Sequence, residues 1–266
     1  KKKAEENLKK SIEINPNLVD AYNALGNLFF EQTKFSEAQK NYEKAININP
    51  KHEKSLNNLG ILFSTLGRFN EAETFFRQAI KYKPNYEKAY SNMLLNFNYK
   101  TDFDSKSYLK EAKNFRLNCF TENKIRAQYK YKVNPSKLRI GLISADFGNH
   151  PGGYFTLDTL KELKKKDIEL IAYSNFERKD EFANYFKPLF FKWNSISHKD
   201  DREVANEIIN DGVHILIDLQ GHSSKNRLPI FFHKSAPIQV TWLAQGSTGI
   251  KEIAIAGGVS ANSYLR

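Results

Sequence analysis

Apolar positions in the N-terminal part of the chain recur at helical spacing inside a unit that is itself repeated. Pro16, Pro50 and Pro84 mark the period. Between them the same positions recur in register: Ala4, Ala38 and Ala72; Ile12, Ile46 and Ile80; Leu8, Tyr42 and Phe76; Tyr22, Leu56 and Tyr90; Leu25, Leu59 and Met93. Small residues recur where two helices must approach closely, and large ones where a face must be buried. Each unit therefore reads as two helices with an apolar stripe that only the next unit can cover, so that stacking supplies the core. Each proline stops the second helix of its pair, because its ring fits neither the hydrogen bonding nor the space of a helix interior.

From Leu138 the pattern changes to short β-branched and aliphatic runs separated by helical stretches, which predicts a parallel α/β sheet. The runs predict strands at Leu138–Ala145, Glu169–Ser174, Phe190–Trp193, His214–Leu219 and Gln239–Leu243. Helices are expected at Leu157–Lys166, Glu181–Phe186 and Arg202–Asn210. In open sheets of this kind ligands collect beyond the carboxyl ends of the strands. Three loops at such positions carry suitable chemistry: Asp146–Gly153, Gly221–Arg227 and Gln245–Gly249.

Glycine lets a backbone approach a ligand closely, histidine donates or accepts protons near neutral pH, and serine or threonine binds hydroxyls or phosphates. The glycine spacings and the lysine match neither a dinucleotide fingerprint nor a P-loop. From spacing alone, His150 and His222 read either as functional groups or as hydrogen-bonded loop residues. His214, placed inside a strand, reads as structural. In the repeats, Asn58 and Asn92 stand at equivalent positions on successive first helices, where the preceding unit has Ala24. Two in-register asparagines read either as ordinary polar surface or as a rail for an extended peptide backbone, to which an amide offers a paired donor and acceptor.

Composition narrows the class. A chain of 266 residues with 40% hydrophobic content favours two cores. Cys119 is the single cysteine, which rules out an intrachain disulfide and paired-cysteine zinc spacing and suits a reducing, cytoplasmic compartment. No metal site is expected. No apolar run reaches the roughly 18 residues of a membrane span, so no membrane partner is expected. The net charge is +11. Most of the excess lies before the sheet region: positions 1–134 hold 24 basic against 15 acidic side chains, while 135–266 hold 17 against 15. It falls on scattered helical lysines such as Lys34, Lys40, Lys44 and Lys81, without aromatic interleaving or clustered arginine, so a solvated face is expected and no nucleic-acid partner.

The repeated unit, about 34 residues long, is similar to the tetratricopeptide repeat. It precedes LRIGLISADFGNH, then DGVHILIDLQGHSSKNRL, then APIQVTWLAQGSTG. Together these resemble the start of the catalytic region of O-GlcNAc transferases, closest to the bacterial ones, over residues 4–253. The resemblance implies a tetratricopeptide α-solenoid followed by one Rossmann-like parallel-sheet lobe, the first half of a GT-B glycosyltransferase. It implies UDP-N-acetylglucosamine as donor, no tightly bound cofactor, and acceptor proteins or peptides reaching the site from the repeat groove with a serine or threonine hydroxyl. It places His150 at the sugar site, as the histidine once considered a base. His222 and the loop Gly246, Ser247, Thr248, Gly249 border the cleft, and Asn58 and Asn92 match an acceptor-binding asparagine ladder from which Ala24 departs. The lysine and helix end that stabilise the diphosphate belong to the family's other lobe.

The expected organisation is repeats over 1–100 with the first one partial, a helical spacer and linker over 101–136, the Rossmann-like lobe over 137–253, and an atypical tail over 254–266. The tail AIAGGVSANSYLR does not continue the resemblance and is instead similar to a glycine-rich motif of tRNA threonylcarbamoyladenosine proteins. A truncated polypeptide, inactive as a transferase by itself, is the expectation. The architecture is shared with protein O-fucosyltransferases, which use GDP-fucose, and a non-catalytic peptide-binding scaffold is the alternative from another class.

Overall fold

The computed structural model describes residues 2–101, 104–120 and 136–241. The Gly246–Gly249 loop, the end of the last expected strand, most of the expected linker and the tail lie outside them. The chain forms two compact units, Lys1–Thr121 and Glu122–Arg266.

The first unit is all helical: α1 (Lys2–Ile14), α2 (Val19–Glu31), α3 (Phe35–Ile48), α4 (Glu53–Thr65), α5 (Phe69–Tyr82), α6 (Glu87–Phe97) and α7 (Ser105–Cys119). The in-register residues do what their sizes require. Ala38, Ala45, Ala72 and Ala79 are fully buried, and Tyr42 and Phe76 fill the space between paired helices. They meet glycines: a Cβ on Gly26 would stand 2.5 Å from the Tyr42 ring, and one on Gly60 2.5 Å from the Phe76 ring. Pro50 and Pro84 each follow a second helix that has ended two residues earlier. The buried residues of α7 are Glu111 and Phe115. Glu111 accepts from Arg77 Nη1 at 2.8 Å and Phe115 packs 5.5 Å from the Tyr90 ring.

Among the described residues the second unit holds a five-stranded parallel sheet in the order β3-β2-β1-β4-β5. Its strands are β1 (Leu138–Ser144), β2 (Ile168–Ser174), β3 (Lys192–Ser195), β4 (Ile215–Asp218) and β5 (Ile238–Thr241). Both faces are covered, as a parallel sheet requires. One face buries Ile143, Ile171, Tyr173 and Leu216 against Val204 and Ile208 of α9 (Asp201–Asn210) and Ile230 of the short α10 (Pro229–Phe232). The other buries Ile140, Leu142, Leu170 and Ala172 against Leu157 and Leu160 of α8 (Pro151–Lys164) and against Phe186. Gly141 permits the close approach in the centre, since a Cβ there would meet Leu216 and Tyr173 at 3.0 Å.

The largest departures from the expected elements are three. The first crossover helix begins at Pro151 and not at Leu157, because His150 caps it and Pro151 occupies its first turn, so that Gly152 and Gly153 are helical. Glu181–Tyr185 is a 3-10 turn, continued by a second at Lys187–Leu189. The third strand occupies Lys192–Ser195, two residues later than expected.

Candidate functional site

In the strand order, β1 leads to β2 and β3 on one side and β4 leads to β5 on the other, so the direction of winding reverses between β1 and β4. Open parallel sheets bind ligands at this position, because the loops after the two strands diverge and leave a crevice. The two strands are level, with Ile143 opposite Asp218. The loop with His150 leaves the first and the loop with His222 leaves the second. The two histidines therefore stand on adjacent loops at one rim of the sheet. The third loop of interest, with Gly246, Ser247, Thr248 and Gly249, lies outside the described residues.

The β1 loop is held by its own backbone and by the loop after β2. Asp146 N–H donates to Ser144 Oγ at 2.9 Å, and Gly148 N–H to the Asp146 carbonyl at 2.8 Å. Arg178 reaches across with Nε to the Ala145 carbonyl at 3.0 Å, Nη1 to the Asn149 carbonyl at 3.3 Å and Nη2 to Asp146 Oδ1 at 2.8 Å. Asn149 N–H donates to Asp180 Oδ1 at 2.9 Å. A side chain on Gly153 would collide with the Gly148 carbonyl oxygen, so the first turn of α8 can pack on the loop only as glycine. His150 then caps α8, its Nδ1 accepting the Gly152 N–H at 3.2 Å, with Asp146 Oδ2 3.3 Å from the same nitrogen.

The β4 loop is organised by Asp218, which is 1% exposed. Its carboxylate accepts from Gln220 N–H at 3.1 Å, Gly221 N–H at 2.7 Å and the Thr241 hydroxyl at 2.8 Å. Burial pushes this carboxyl up to about 6, and the three donors oppose the shift. Gly221 has φ of +57°, which turns the chain sharply into His222. Burial pushes the His222 imidazole down to about 4, so the ring is neutral at physiological pH and can both donate and accept a hydrogen bond. Farther along, Arg227 donates to Asp201 Oδ1 at 2.6 Å and to Asn175 Oδ1 at 2.8 Å, and Asn175 Nδ2 donates to the Lys225 carbonyl at 2.8 Å. The Lys225 ammonium lies 3.1 Å from the centroid of the half-exposed Phe176 ring. His214 does not join the site: it precedes β4, and its Nδ1 accepts the Arg139 N–H at 3.0 Å.

In the repeats, Asn58 and Asn92 are half-buried, and their amide groups point back to the preceding unit. Asn58 Nδ2 donates to Asn23 Oδ1 at 2.9 Å and to Asn27 Oδ1 at 2.8 Å, and Asn92 Nδ2 donates to Asn57 Oδ1 at 2.9 Å. Both hydrogens of the Asn58 amide and one of the two on Asn92 are thus engaged inside the fold.

Sequence reading overlooked Asp218, Gln220 and Arg178. An acid closing an otherwise apolar strand was a usable signal for Asp218. Arg178 sits in the charged run Glu177–Glu181, which looks like ordinary surface. Burial pushes the Cys119 thiol up to about 12, so it supplies no thiolate near neutral pH. Among the described residues no cluster of His, Cys, Asp and Glu could hold a metal ion, and no helix is long and apolar enough to cross a membrane.

Residues 21–85 match the tetratricopeptide repeat and residues 113–253 match glycosyl transferase family 41. A mutant of the Thermobaculum terrenum O-GlcNAc transferase superposes with a TM-score of 0.78 at 26% identity, over 90% of this chain and 46% of that one. A barley protein described as a probable UDP-N-acetylglucosamine–peptide N-acetylglucosaminyltransferase SPINDLY is 33% identical over 133 residues, 47% of this chain and 14% of that protein. The Caenorhabditis elegans UDP-N-acetylglucosamine–peptide N-acetylglucosaminyltransferase is 32% identical over 124 residues, 43% of this chain and 10% of that protein. The chain thus spans under half of the solved transferase and about a tenth to a seventh of these curated relatives. With more than half of its length matched at the level of the family, and with its repeats and sheet superposing on a solved transferase, the chain belongs to glycosyl transferase family 41.

Proposed function

We propose that this chain serves protein O-glycosylation, its second unit forming one wall of a site that moves N-acetylglucosamine from UDP-N-acetylglucosamine to serine or threonine hydroxyls. The observation that carries the reading is the placement of His150 and His222 on the two loops that flank the reversal between β1 and β4. Sugar transfer needs a hydroxyl aligned on the anomeric carbon and a stabilised leaving diphosphate. The rim offers hydrogen-bonding groups suited to sugar hydroxyls and to alignment, with His150 at the sugar and His222 beside it, and the family resemblance adds Gly246, Ser247, Thr248 and Gly249 as binding residues. Asn58 and Asn92 serve as carbonyl acceptors for the backbone N–H groups of an acceptor peptide, and the repeats bring protein partners. The repeats over 1–100 and the lobe over 137–253 act as the two functional parts.

The test is a titration of the labelled chain with UDP-N-acetylglucosamine, GDP-fucose and a serine-containing peptide, following the ring resonances of His150 and His222. Saturable shifts with UDP-N-acetylglucosamine, weaker ones with GDP-fucose, and loss of peptide binding in N58A/N92A support the reading. Indifference of both rings to every nucleotide sugar, with peptide binding intact in H150A/H222A, would replace it by a non-catalytic peptide-binding scaffold.

A further inference from the structure

Nδ1 of His150 has two neighbours that ask for opposite protonation. The Gly152 N–H donates to it at 3.2 Å and needs a bare lone pair there. Asp146 Oδ2, 3.3 Å away, would favour an N–H on the same nitrogen. A backbone amide always carries its hydrogen, whereas a neutral imidazole can place its one hydrogen on either nitrogen. What decides is therefore how strongly Asp146 attracts a donor.

Asp146 is already matched. Its other oxygen takes a charge-assisted hydrogen bond from Arg178 Nη2 at 2.8 Å, and both side chains are largely buried, at 13% and 19% exposure. Arg178 cannot readily turn away, because its Nε and Nη1 hold the Ala145 and Asn149 carbonyls at the two ends of the loop. Its stem also occupies the space beside Gly148, where a Cβ would stand 2.5 Å from Arg178 Cδ.

We propose that Arg178 is a positioning residue that sets the tautomer of His150: by neutralising Asp146 it leaves the Gly152 N–H as the partner of Nδ1, so the neutral ring carries its hydrogen on Nε2. The 42% exposed ring then offers a ligand a hydrogen-bond donor and not a base. Its partner is an acceptor oxygen, such as a hydroxyl, ring or phosphate oxygen of a sugar nucleotide. This rests on the reading of His150 as a ligand-facing residue, but the tautomer itself is a property of the free protein.

Nitrogen-15 spectra of the histidine-labelled chain, at a pH that keeps the rings neutral and with His150 assigned through H150Q, report which nitrogen carries the hydrogen. The wild-type ring is expected to be Nε2–H. In R178Q the unmatched Asp146 draws the hydrogen to Nδ1 and shifts the tautomer ratio several-fold, and R178K, which keeps the charge without the fork, falls between. A wild-type ring with its hydrogen on Nδ1, or a folded R178Q chain with an unchanged ratio, overturns the proposal. Should R178Q fail to fold, the wild-type spectrum and R178K decide. A wrong tautomer with intact response to UDP-N-acetylglucosamine sinks this inference alone, and a correct tautomer with no ligand response sinks the functional reading alone.

Discussion

Oε1 of Gln220 accepts the backbone N–H of Ala145 at 3.0 Å, while Nε2 of the same side chain donates to the Ser224 carbonyl at 3.1 Å. One buried amide, 2% exposed, thereby joins the first residue after β1 to the loop that carries His222. Replacing it by an apolar residue of similar size leaves a buried N–H and a carbonyl without their partner, and an unsatisfied buried group costs ~1–3 kcal/mol. Gln220→Leu is expected to lose stability in that range in urea unfolding. It should also broaden the His222 ring resonances while leaving those of His52, in the repeat unit, unchanged.

The end of β4 and the loop after it hold two groups whose burial acts in opposite directions with pH. His222 has its pKa depressed to about 4 from 6.5, so between these values the unfolded chain binds the extra proton and stability falls as pH falls. Asp218 has its pKa raised to about 6 from 3.8, so its contribution is fully present below 3.8 and is lost as pH rises through 6. The two slopes oppose each other between about pH 4 and 6 and flatten the profile there. His222→Gln is expected to remove the loss on the acid side and expose the Asp218 slope, with stability then declining from pH 4 to 7 by ~2–3 kcal/mol, the size of a two-unit shift. Asp218→Asn, less stable at every pH because an amide cannot accept from all three donors, should show the opposite slope. Urea unfolding of both variants across pH 4–7 measures this, and parallel profiles in the two would contradict it.

Asn58 separates acceptor from donor. Its Nδ2 faces two carbonyl oxygens, those of Asn23 and Asn27, and Asn23 Oδ1 also accepts the Ser55 hydroxyl at 3.0 Å. A carboxylate in its place would set oxygen against oxygen. Asn58→Asp is therefore expected to destabilise the repeats by ~1–3 kcal/mol, more than Asn58→Ala, which removes a donor without adding charge. Thermal unfolding ranks the two, and a less stable alanine variant would show that the amide points the other way.

The repeats were legible because their information is periodic: three copies of Ala, Ile and proline positions in register report the same packing three times. The succession of strands and helices along the chain was legible for a related reason, since strands buried on both faces leave continuous apolar runs such as Leu138–Ser144. What the pattern could not show was the work of single polar side chains. Arg178 is a surface residue by sequence context and a clamp by geometry, because the carbonyls it holds belong to the loop after a different strand, whose exposure no local window reports. The start of α8 lies earlier than the pattern suggests for the converse reason: Gly152 and Gly153 look like loop residues, yet His150 caps the helix ahead of them, and at Gly153 only glycine lets the first turn lie against the Gly148 carbonyl. The repeat register assigns Asn58 to a helix face, but the direction of its amide depends on Asn23 and Asn27, on the first helix of the preceding unit.

Equivalent turns of two successive units carry different residues at one position, Thr33 and Gly67. The turn between α2 and α3 has Thr33 with φ of +59°, and the turn between α4 and α5 has Gly67 with φ of +75° at the equivalent position of the next unit. The backbone of the unit demands the left-handed conformation at this position, where a β-branched side chain is strained and glycine is not. Thr33 is exposed, and its hydroxyl bonds only the neighbouring Gln32 carbonyl at 2.6 Å, so little packing is lost with its side chain. Relief of ~1–2 kcal/mol of strain exceeds the ~0.5–1 kcal/mol by which glycine loosens the unfolded chain. Thr33→Gly is thus expected to raise stability by up to ~1 kcal/mol in urea unfolding, and Gly67→Thr to lower it by a similar amount. Equal and opposite effects would identify the turn conformation as the common cause, whereas a destabilising Thr33→Gly would show that the threonine side chain contributes more than its backbone strain removes.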